Sequence, residues 1–300
     1  MSTYVLYNPF AGNSTCEASS TKLNEILSGE ELIFRSMVDI ADYRSFFDGL
    51  HAEDKVILCG GDGTLNRFVN AVADVDITNE ILYYGAGSGN DFLHDLDKKK
   101  GAEPFPINDI ISELPEVTIN GKTSRFINAI GFGIDGYCCE VGDEVRKKSN
   151  GKPVNYTPIA IRGVLGGYKP VNAVILVDGE ERHYSKVWLS PSMHGRYYGG
   201  GMQAAPTQNR SDPEGRLSLV VWHDSSWLKT LLVFPSIFKG KHVSHTECLD
   251  IIAAHEVTVR FDRPCALQID GETVLGVTEY SAKSKAKVKQ DKAAKEAATV

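Results

Sequence analysis

The apolar run Lys55-Val56-Ile57-Leu58 ends in Cys59-Gly60-Gly61-Asp62-Gly63-Thr64, and a segment with helical spacing follows at once. Leu65, Phe68, Val69 and Val72 fall at i, i+3, i+4 and i+7, which makes one buried face. Strand, glycine-rich turn, helix is the order in which a backbone cradles phosphate. The helix N-terminus aims its unpaired N–H groups and its dipole at whatever occupies the turn. Three glycines remove the Cβ atoms that would hold an anion off, and they permit positive φ. A side chain at Gly61 is expected to be rejected on both counts. Asp62 is foreign to a plain phosphate cradle, because a carboxylate repels phosphate unless it serves a metal ion or takes a proton. The turn therefore points to phosphoryl transfer. A plain strand-to-helix turn capped by Asp62 or Thr64 is the alternative.

The first hundred residues alternate in the same manner. Tyr4–Tyr7, Glu31–Met37, Lys55–Cys59 and Glu80–Tyr84 read as strands; Ser14–Leu27, Asp42–Leu50 and Thr64–Ala73 read as helices. Such alternation predicts an α/β nucleotide-binding domain, a parallel sheet with helices on both faces. Ligands in such sheets sit at the carboxyl ends of the strands, near a reversal in strand order. Three strand ends here carry small or glycine-rich loops, at Asn8–Gly12, Gly60–Thr64 and Gly85–Asp91.

After about residue 115 the texture changes. Asn120-Gly121 and Asp178-Gly179 read as hairpin turns between alternating runs, and Arg216–Trp222, Glu256–Phe261 and Cys265–Ile269 read as further strands. Apart from Trp227–Phe238, few helical patterns interrupt them. The expectation is an ATP-binding domain over 1–120, with a closing strand near 273–282, then a mainly antiparallel β-rich domain over 121–272. A lysine-rich tail over 283–300 follows.

Composition excludes some classes. The net charge of −7 argues against general nucleic-acid affinity. No stretch approaches the ~18 apolar residues of a spanning helix, and the first residues lack a signal-peptide plan. Six cysteines without Cys-x-x-Cys or zinc spacing predict a reduced, cytoplasmic chain. The tail reverses the charge, with six lysines against Asp291 and Glu296. It reads either as a solvated end or as a contact for anionic lipid.

Taken together, Asn8-Pro9-x-x-Gly12, Gly60-Gly61-Asp62-Gly63-Thr64-Leu65-Asn66 and Gly87-Ser88-Gly89-Asn90-Asp91-Phe92 resemble the diacylglycerol kinase catalytic domain. More closely, they resemble the soluble bacterial lipid kinases related to sphingosine kinases. The resemblance continues in order through Phe126–Gly136, Tyr198-Gly199-Gly200-Gly201-Met202-x-x-Ala205-Pro206 and Gln268-Ile269-Asp270-Gly271-Glu272. The family's middle loop reads Pro-x-Gly-Thr-x-Asn-Asp-Phe; here Gly85 and Ser88 stand at the Pro and Thr positions. No lysine follows Gly12, where some members place one.

The resemblance implies an ATP- and Mg²⁺-dependent kinase acting on a lipid hydroxyl, diacylglycerol or a related lipid. Asp62 is then the proton acceptor or metal-linked carboxylate, and Glu272 contacts nucleotide or magnesium. Asn8, Gly12, Gly60, Gly61, Gly63, Thr64, Gly87, Ser88 and Asn90 form the ATP site. Asn128 and Asp135 stand at the substrate side or domain junction; close packing at Asn128 and a plain turn at Asp135 are their alternatives. Glu272 reads equally as a hairpin tip, since Asp178-Gly179-Glu180 repeats its triplet in a plain hairpin. The metal ligands are unassigned. The partner is a lipid at a membrane surface, met peripherally through the tail or the Lys239–His242 edge beside Trp227–Phe238. A homodimer is compatible with the family, and a nucleic-acid partner is not expected. Two other readings stay open: an NAD kinase-like phosphotransferase and a non-catalytic nucleotide- or lipid-binding relative. The Asn90-Asp91-Phe92 loop favours the lipid-kinase branch, because an Asn-Glu pair is expected of an NAD kinase.

Overall fold

The structure, a computed structural model, describes residues 2–9, 20–87, 90–149 and 154–299. The chain divides into two units, Met1–Glu113 and Leu114–Val300. In the first, strands β1 (Thr3–Tyr7), β2 (Leu32–Ser36), β3 (Lys55–Gly60), β4 (Glu80–Gly85) and β5 (Phe105–Pro106) form one sheet in the order β2-β1-β3-β4-β5. All pairs are parallel except the short β5 against β4. Helices α1 (Leu23–Ile26), α2 (Tyr43–Asp48), α3 (Asp62–Ala71), α4 (Asp91–Asp95) and α5 (Asn108–Ile111) connect or flank the strands. Val56, Ile57, Leu58 and Cys59 are all fully buried, so both faces of β3 are covered, as a parallel sheet requires. Asp42 caps α2 by accepting from the amides of Arg44 and Ser45. The strand order reverses at β1, which has β2 on one side and β3 on the other. The carboxyl ends of β1 and β3 therefore flank the switch point where such sheets bind ligands.

The second unit contains β6 (Glu116–Ile119), β7 (Lys122–Arg125), β8 (Ala129–Gly133), helices α6 (Ile134–Lys148) and α7 (Tyr156–Arg162), β9 (Val171–Val177), β10 (Glu180–Val187), β11 (Leu189–Met193), β12 (Leu217–Trp222), helix α8 (Trp227–Val233), β13 (Leu249–Ala254), β14 (Glu256–Ile269), β15 (Glu272–Lys283) and helix α9 (Lys285–Thr299). Its strand pairs are antiparallel, in the order β13-β12-β11-β8-β14-β15-β6-β7, with β9 joined to β10 and β14. The long β14 pairs with β9 through its first half and with β8 through Leu267–Ile269, and irregularities between Arg260 and Leu267 let it bend. Phe132, Ile175, Val257, Val259, Phe261 and Leu267 fill the core so enclosed, and the Phe132 and Phe261 rings stack at 4.2 Å. Three hairpins turn on Asn120-Gly121, Asp178-Gly179 and Asp270-Gly271. Both residues of each pair have positive φ, the conformation that selects Asn or Asp followed by Gly.

Four expectations are corrected. The chain passes between units at Glu113, so 114–120 belongs to the β-rich unit, where β6 pairs with β15. The closing strand near 273–282 is β15, and it pairs with β14 and β6 of the second sheet rather than completing the first. Helices α6 and α7 were not foreseen, although Ile134, Cys138, Val141 and Val145 do fall at helical spacing and basic residues close the last turn. The tail forms α9 and is tied to the second unit: Lys287 pairs with Glu256 at 3.9 Å and Lys292 with Glu116 at 3.9 Å, and Val288 is buried. Among the described residues no helix is long and apolar enough to cross a membrane, and no disulfide forms.

Candidate active site

In the first unit the site assembles from the ends of β3 and β4. Helix α3 begins at Asp62, and the Gly61 carbonyl accepts from the amides of Thr64 and Leu65 at 3.0 Å each. One residue earlier, the Gly60 carbonyl accepts from the amides of Ala86 (2.8 Å) and Gly87 (3.1 Å) and from Tyr83 Oη (3.1 Å). The loop after β4 is thus stitched to the turn after β3. Asp62 is buried, and its Oδ2 accepts from the Asp91 amide at 2.8 Å, tying the start of α4 to the start of α3. Asn90 occupies the N-cap position of α4 without capping it. Its Nδ2 donates to the Gly87 carbonyl at 3.0 Å, and its Oδ1 is buried with no partner among the described residues. Asn8 is buried just beyond β1, one residue past the Tyr7–Cys59 pair that joins β1 to β3. Gly60, Gly61, Asp62, Gly63, Thr64, Gly87, Asn90 and Asn8 are therefore gathered at one end of one sheet. Gly12 and Ser88 lie outside the described residues.

Of the two reasons expected for the glycines, positive φ is not found. Neither Gly60, Gly61, Gly63 nor Gly87 has positive φ, and Gly61 is extended at φ −110°. Backbone strain therefore gives no ground for rejecting a side chain at Gly61. What the site demands is close approach. A Cβ on Gly87 would lie 2.3 Å from Gly61 Cα, and one on Gly60 would lie 2.4 Å from Thr64 Cβ. The Gly60 clash is with Thr64 Cβ, which the backbone of α3 holds in place, and the Gly87 clash is with backbone itself. Gly87→Val should therefore separate the two loops, costing about 1–3 kcal/mol by overpacking and lowering nucleotide affinity with it. Thermal unfolding together with ATP calorimetry checks this, and a variant unchanged in both would show that the loops do not need contact.

In the second unit the Asp270-Gly271 turn anchors more than a hairpin. The Asp270 carboxylate accepts from the amides of Ile127 (2.6 Å), Asn128 (2.7 Å) and Ala129 (3.1 Å), and its own amide donates to the Ala129 carbonyl. Asn128 is buried at the centre of this joint. Its carbonyl accepts from the amides of His194 and Gly195, and its Oδ1 accepts from Arg210 at 2.9 Å. Arg210 also donates to the Ile127 carbonyl. Glu272, the first residue of β15, is exposed just beyond this clamped turn. Asp178 builds its hairpin similarly, accepting from the amides of His255 and Glu256, so the triplet alone does not mark a site. Asp212 accepts from Arg216 through both backbone and guanidinium, which fills the carboxylate with a cation of the chain.

Asp135 is not a turn residue. It lies buried in the first turn of α6, its Oδ1 accepting from the Gly136 amide at 2.9 Å, beside Tyr198 and Gln268. Its Oδ2 approaches Gly131 so closely that a Cβ there would stand 1.8 Å away. Burial raises its pKa from 3.8 to about 6, against the opposing hydrogen bond from Gly136. The folded state thus holds this proton more tightly than the unfolded chain. Stability from this group is complete below about pH 4 and is lost as pH rises through about 6, a change of about 3 kcal/mol. Asp135→Asn should remove that slope. Urea unfolding at both ends of the window checks it; an unchanged slope would place the titration elsewhere.

Comparison with known proteins supplies the frame. The diacylglycerol kinase catalytic domain matches residues 2–120, and the YegS C-terminal NAD kinase beta sandwich-like domain matches residues 128–285, more than half of the chain. The chain belongs to the diacylglycerol kinase–YegS family. It is 25% identical over 277 residues to YtlR of Bacillus subtilis (strain 168), whose name places it provisionally among lipid kinases; the match covers 83% of this chain and 81% of that protein. A diacylglycerol kinase of Mycobacterium tuberculosis (strain CDC 1551 / Oshkosh) is 29% identical over 202 residues, 65% of this chain and 63% of the relative. The crystal structure of a diacylglycerol kinase from Bacillus anthracis str. Sterne shares the fold, with a TM-score of 0.64, 20% identity and 95% of each chain covered.

As a member of a kinase family the chain is a phosphotransferase, and such enzymes use ATP with a divalent metal. The residues present fit that pair. The N–H groups opening α3 face the glycine turn, the buried Asn90 Oδ1 offers an acceptor, and Asp62 offers a carboxylate. Among the described residues no three His, Cys, Asp or Glu side chains cluster as a metal cage. The residues missed by sequence reading are Asp270 and Arg210. The Asp270-Gly271 turn was legible, but the partners of its carboxylate lie more than 140 positions away, and nothing local announces them.

Proposed function

We propose that this chain is an ATP-dependent lipid kinase, transferring the γ-phosphoryl group of ATP to the hydroxyl of diacylglycerol or a related lipid. The observation that carries this reading is Asp62. It is a buried carboxylate at the N-terminus of α3, at the switch point of a 2-1-3-4 sheet, inside a turn whose glycines permit close approach of loops. A helix N-terminus with a glycine turn holds phosphates without chemistry; the added acid provides for proton transfer or charge balance at the reacting oxygen.

In the proposed reaction the lipid oxygen forms a bond to Pγ, the bond from Pγ to the β-phosphate bridge oxygen breaks, and ADP leaves. Asp62 takes the hydroxyl proton. A loose phosphoryl-transfer transition state needs that proton removed only late, so a carboxylate suffices as its acceptor. The amides of α3 and the Gly60–Gly61 turn hold the phosphates, and Asn90 and Thr64 orient the nucleotide. Mg²⁺, when bound, neutralises the charge of the transferring phosphate. Glu272 is assigned to the nucleotide or metal on family likeness. The names of YtlR and of the M. tuberculosis relative support the lipid acceptor. Label transfer from γ-labelled ATP to diacylglycerol in mixed micelles tests the proposal. Labelled phosphatidic acid that disappears with a Mg²⁺ chelator is expected; no labelled lipid from any lipid alcohol would overturn it.

A further inference from the structure

Two helical segments of the second unit turn large apolar side chains to solvent. Helix α8 leaves Trp227 (52%), Leu228 and Leu232 (73%) exposed, and the turn after it exposes Phe238. Helix α7 and the turn that continues it expose Tyr156, Ile161 and Leu165 (58%). Leu228 and Leu232 are i, i+4 neighbours, as are Ile161 and Leu165, so each segment has an outward apolar stripe. The segments lie against each other, α8 packing on Gly163–Gly167. Their inner sides reach one core, where Val164 and Ile237 are buried with Leu231 and Phe234 against them. An open groove of about 650 Å³ lined by Pro158, Ile161, Arg162 and Leu165 runs along α7. Trp227–Phe238 is thus core on one side only.

Charge is sorted in the same way. From Val145 to Val177 and from Ser225 to Thr246 the sequence holds nine Lys and Arg and no Asp or Glu, in a chain of net charge −7. Arg162, Lys239 and Lys241 are exposed and make no ion pair among the described residues. His242 is buried, so it takes no part in the edge. Lys287 and Lys292 of α9, by contrast, are engaged, Lys287 with Glu256 and Asp291 and Lys292 with Glu116. Lys229 of α8 is held by Glu247 at 2.6 Å and Arg146, beside Tyr156, by Asp143 at 3.1 Å, so among the described residues the free cations of this face are Arg162, Lys239 and Lys241. Exposed Leu, Ile and Phe beside these three cations, with Trp and Tyr at the margin, match the interface of an anionic bilayer. We propose that this face of α7 and α8 docks the enzyme on an anionic membrane. The proposal rests on the lipid-kinase reading for its purpose, but its test does not.

The protein carries its own probe. Trp188 and Trp222 are buried, and Trp227, the third tryptophan, stands on the proposed face. Titration with phosphatidylglycerol–phosphatidylcholine vesicles, without ATP, should shift Trp227 emission to the blue and sediment the protein. Pure phosphatidylcholine or high salt should weaken binding about tenfold. Leu165→Asp with Leu232→Asp should also lower partitioning about tenfold, and Lys239→Glu with Lys241→Glu about fivefold. Both pairs lie on exposed positions and should leave the thermal unfolding curve unchanged. Lys289→Gln with Lys292→Gln, on α9, should bind as wild type. Unchanged binding by the leucine variant, or no binding of wild type to anionic vesicles, overturns the proposal. So does self-association without vesicle binding that the leucine variant abolishes, which would assign the face to a protein contact. A protein that binds vesicles but transfers no phosphate to lipid would leave the docking face standing and sink the kinase proposal instead.

Discussion

Asp62→Asn should lower turnover by two or more orders of magnitude while leaving the fold and ATP affinity close to wild type, because the general base or metal-linked charge is lost. Asparagine is the informative substitution for a structural reason. The Asp62 Oδ2 accepts from the Asp91 amide, and an amide oxygen in its place still accepts that bond. The start of α4 then stays tied to the start of α3. Asp62→Ala breaks the tie as well, so it should lose stability by about 1–3 kcal/mol in addition to activity. Steady-state rates and thermal unfolding on both variants separate the two roles. An asparagine variant with near wild-type turnover would remove Asp62 from the chemistry.

The second large effect lies at Asp270. Its carboxylate accepts three consecutive amides from a segment that is itself buried, so Asp270→Ala leaves Ile127, Asn128 and Ala129 with unsatisfied donors. Asp270 itself is half-buried, and leaving three buried amides without their charged acceptor is expected to cost about 2–4 kcal/mol. Asp270→Asn keeps the shape but turns an N–H₂ toward N–H groups, so it should recover little of the loss. Urea unfolding of the second unit reads the cost. A loss below about 1 kcal/mol would show that water satisfies those amides as well as the carboxylate does.

Much of this architecture was legible, and where it was not the reasons are physical. The β3–Gly–α3 unit announces itself because strand burial, turn and helical spacing are all local, and the three Asn/Asp-Gly hairpins follow from the demand for two positive-φ residues. Positive φ at the Gly60–Gly63 turn was expected and is absent, because both strain and close approach select glycine and only the packed loops distinguish them. Helix α6 follows the glycine-rich Gly131-Phe132-Gly133, which drew attention away from it, although its apolar spacing was available. The assignment of β15 to a sheet could not be read locally, since any alternating strand can pair with either sheet. The outward stripe of α8 was obscured because Leu231 and Ile237, which are inward, alternate with Leu228 and Leu232, which are outward, and all are apolar.

The acceptor is the centre of the account, and one side-by-side assay addresses it. Purified protein, γ-labelled ATP and Mg²⁺ are offered diacylglycerol, phosphatidylglycerol, a sphingoid base and a polyprenol in mixed micelles, and NAD in buffer. The products are then resolved. Label is expected in at least one lipid product and none in NADP, with loss of the lipid signal in Asp62→Asn. Label in NADP with none in any lipid would contradict it.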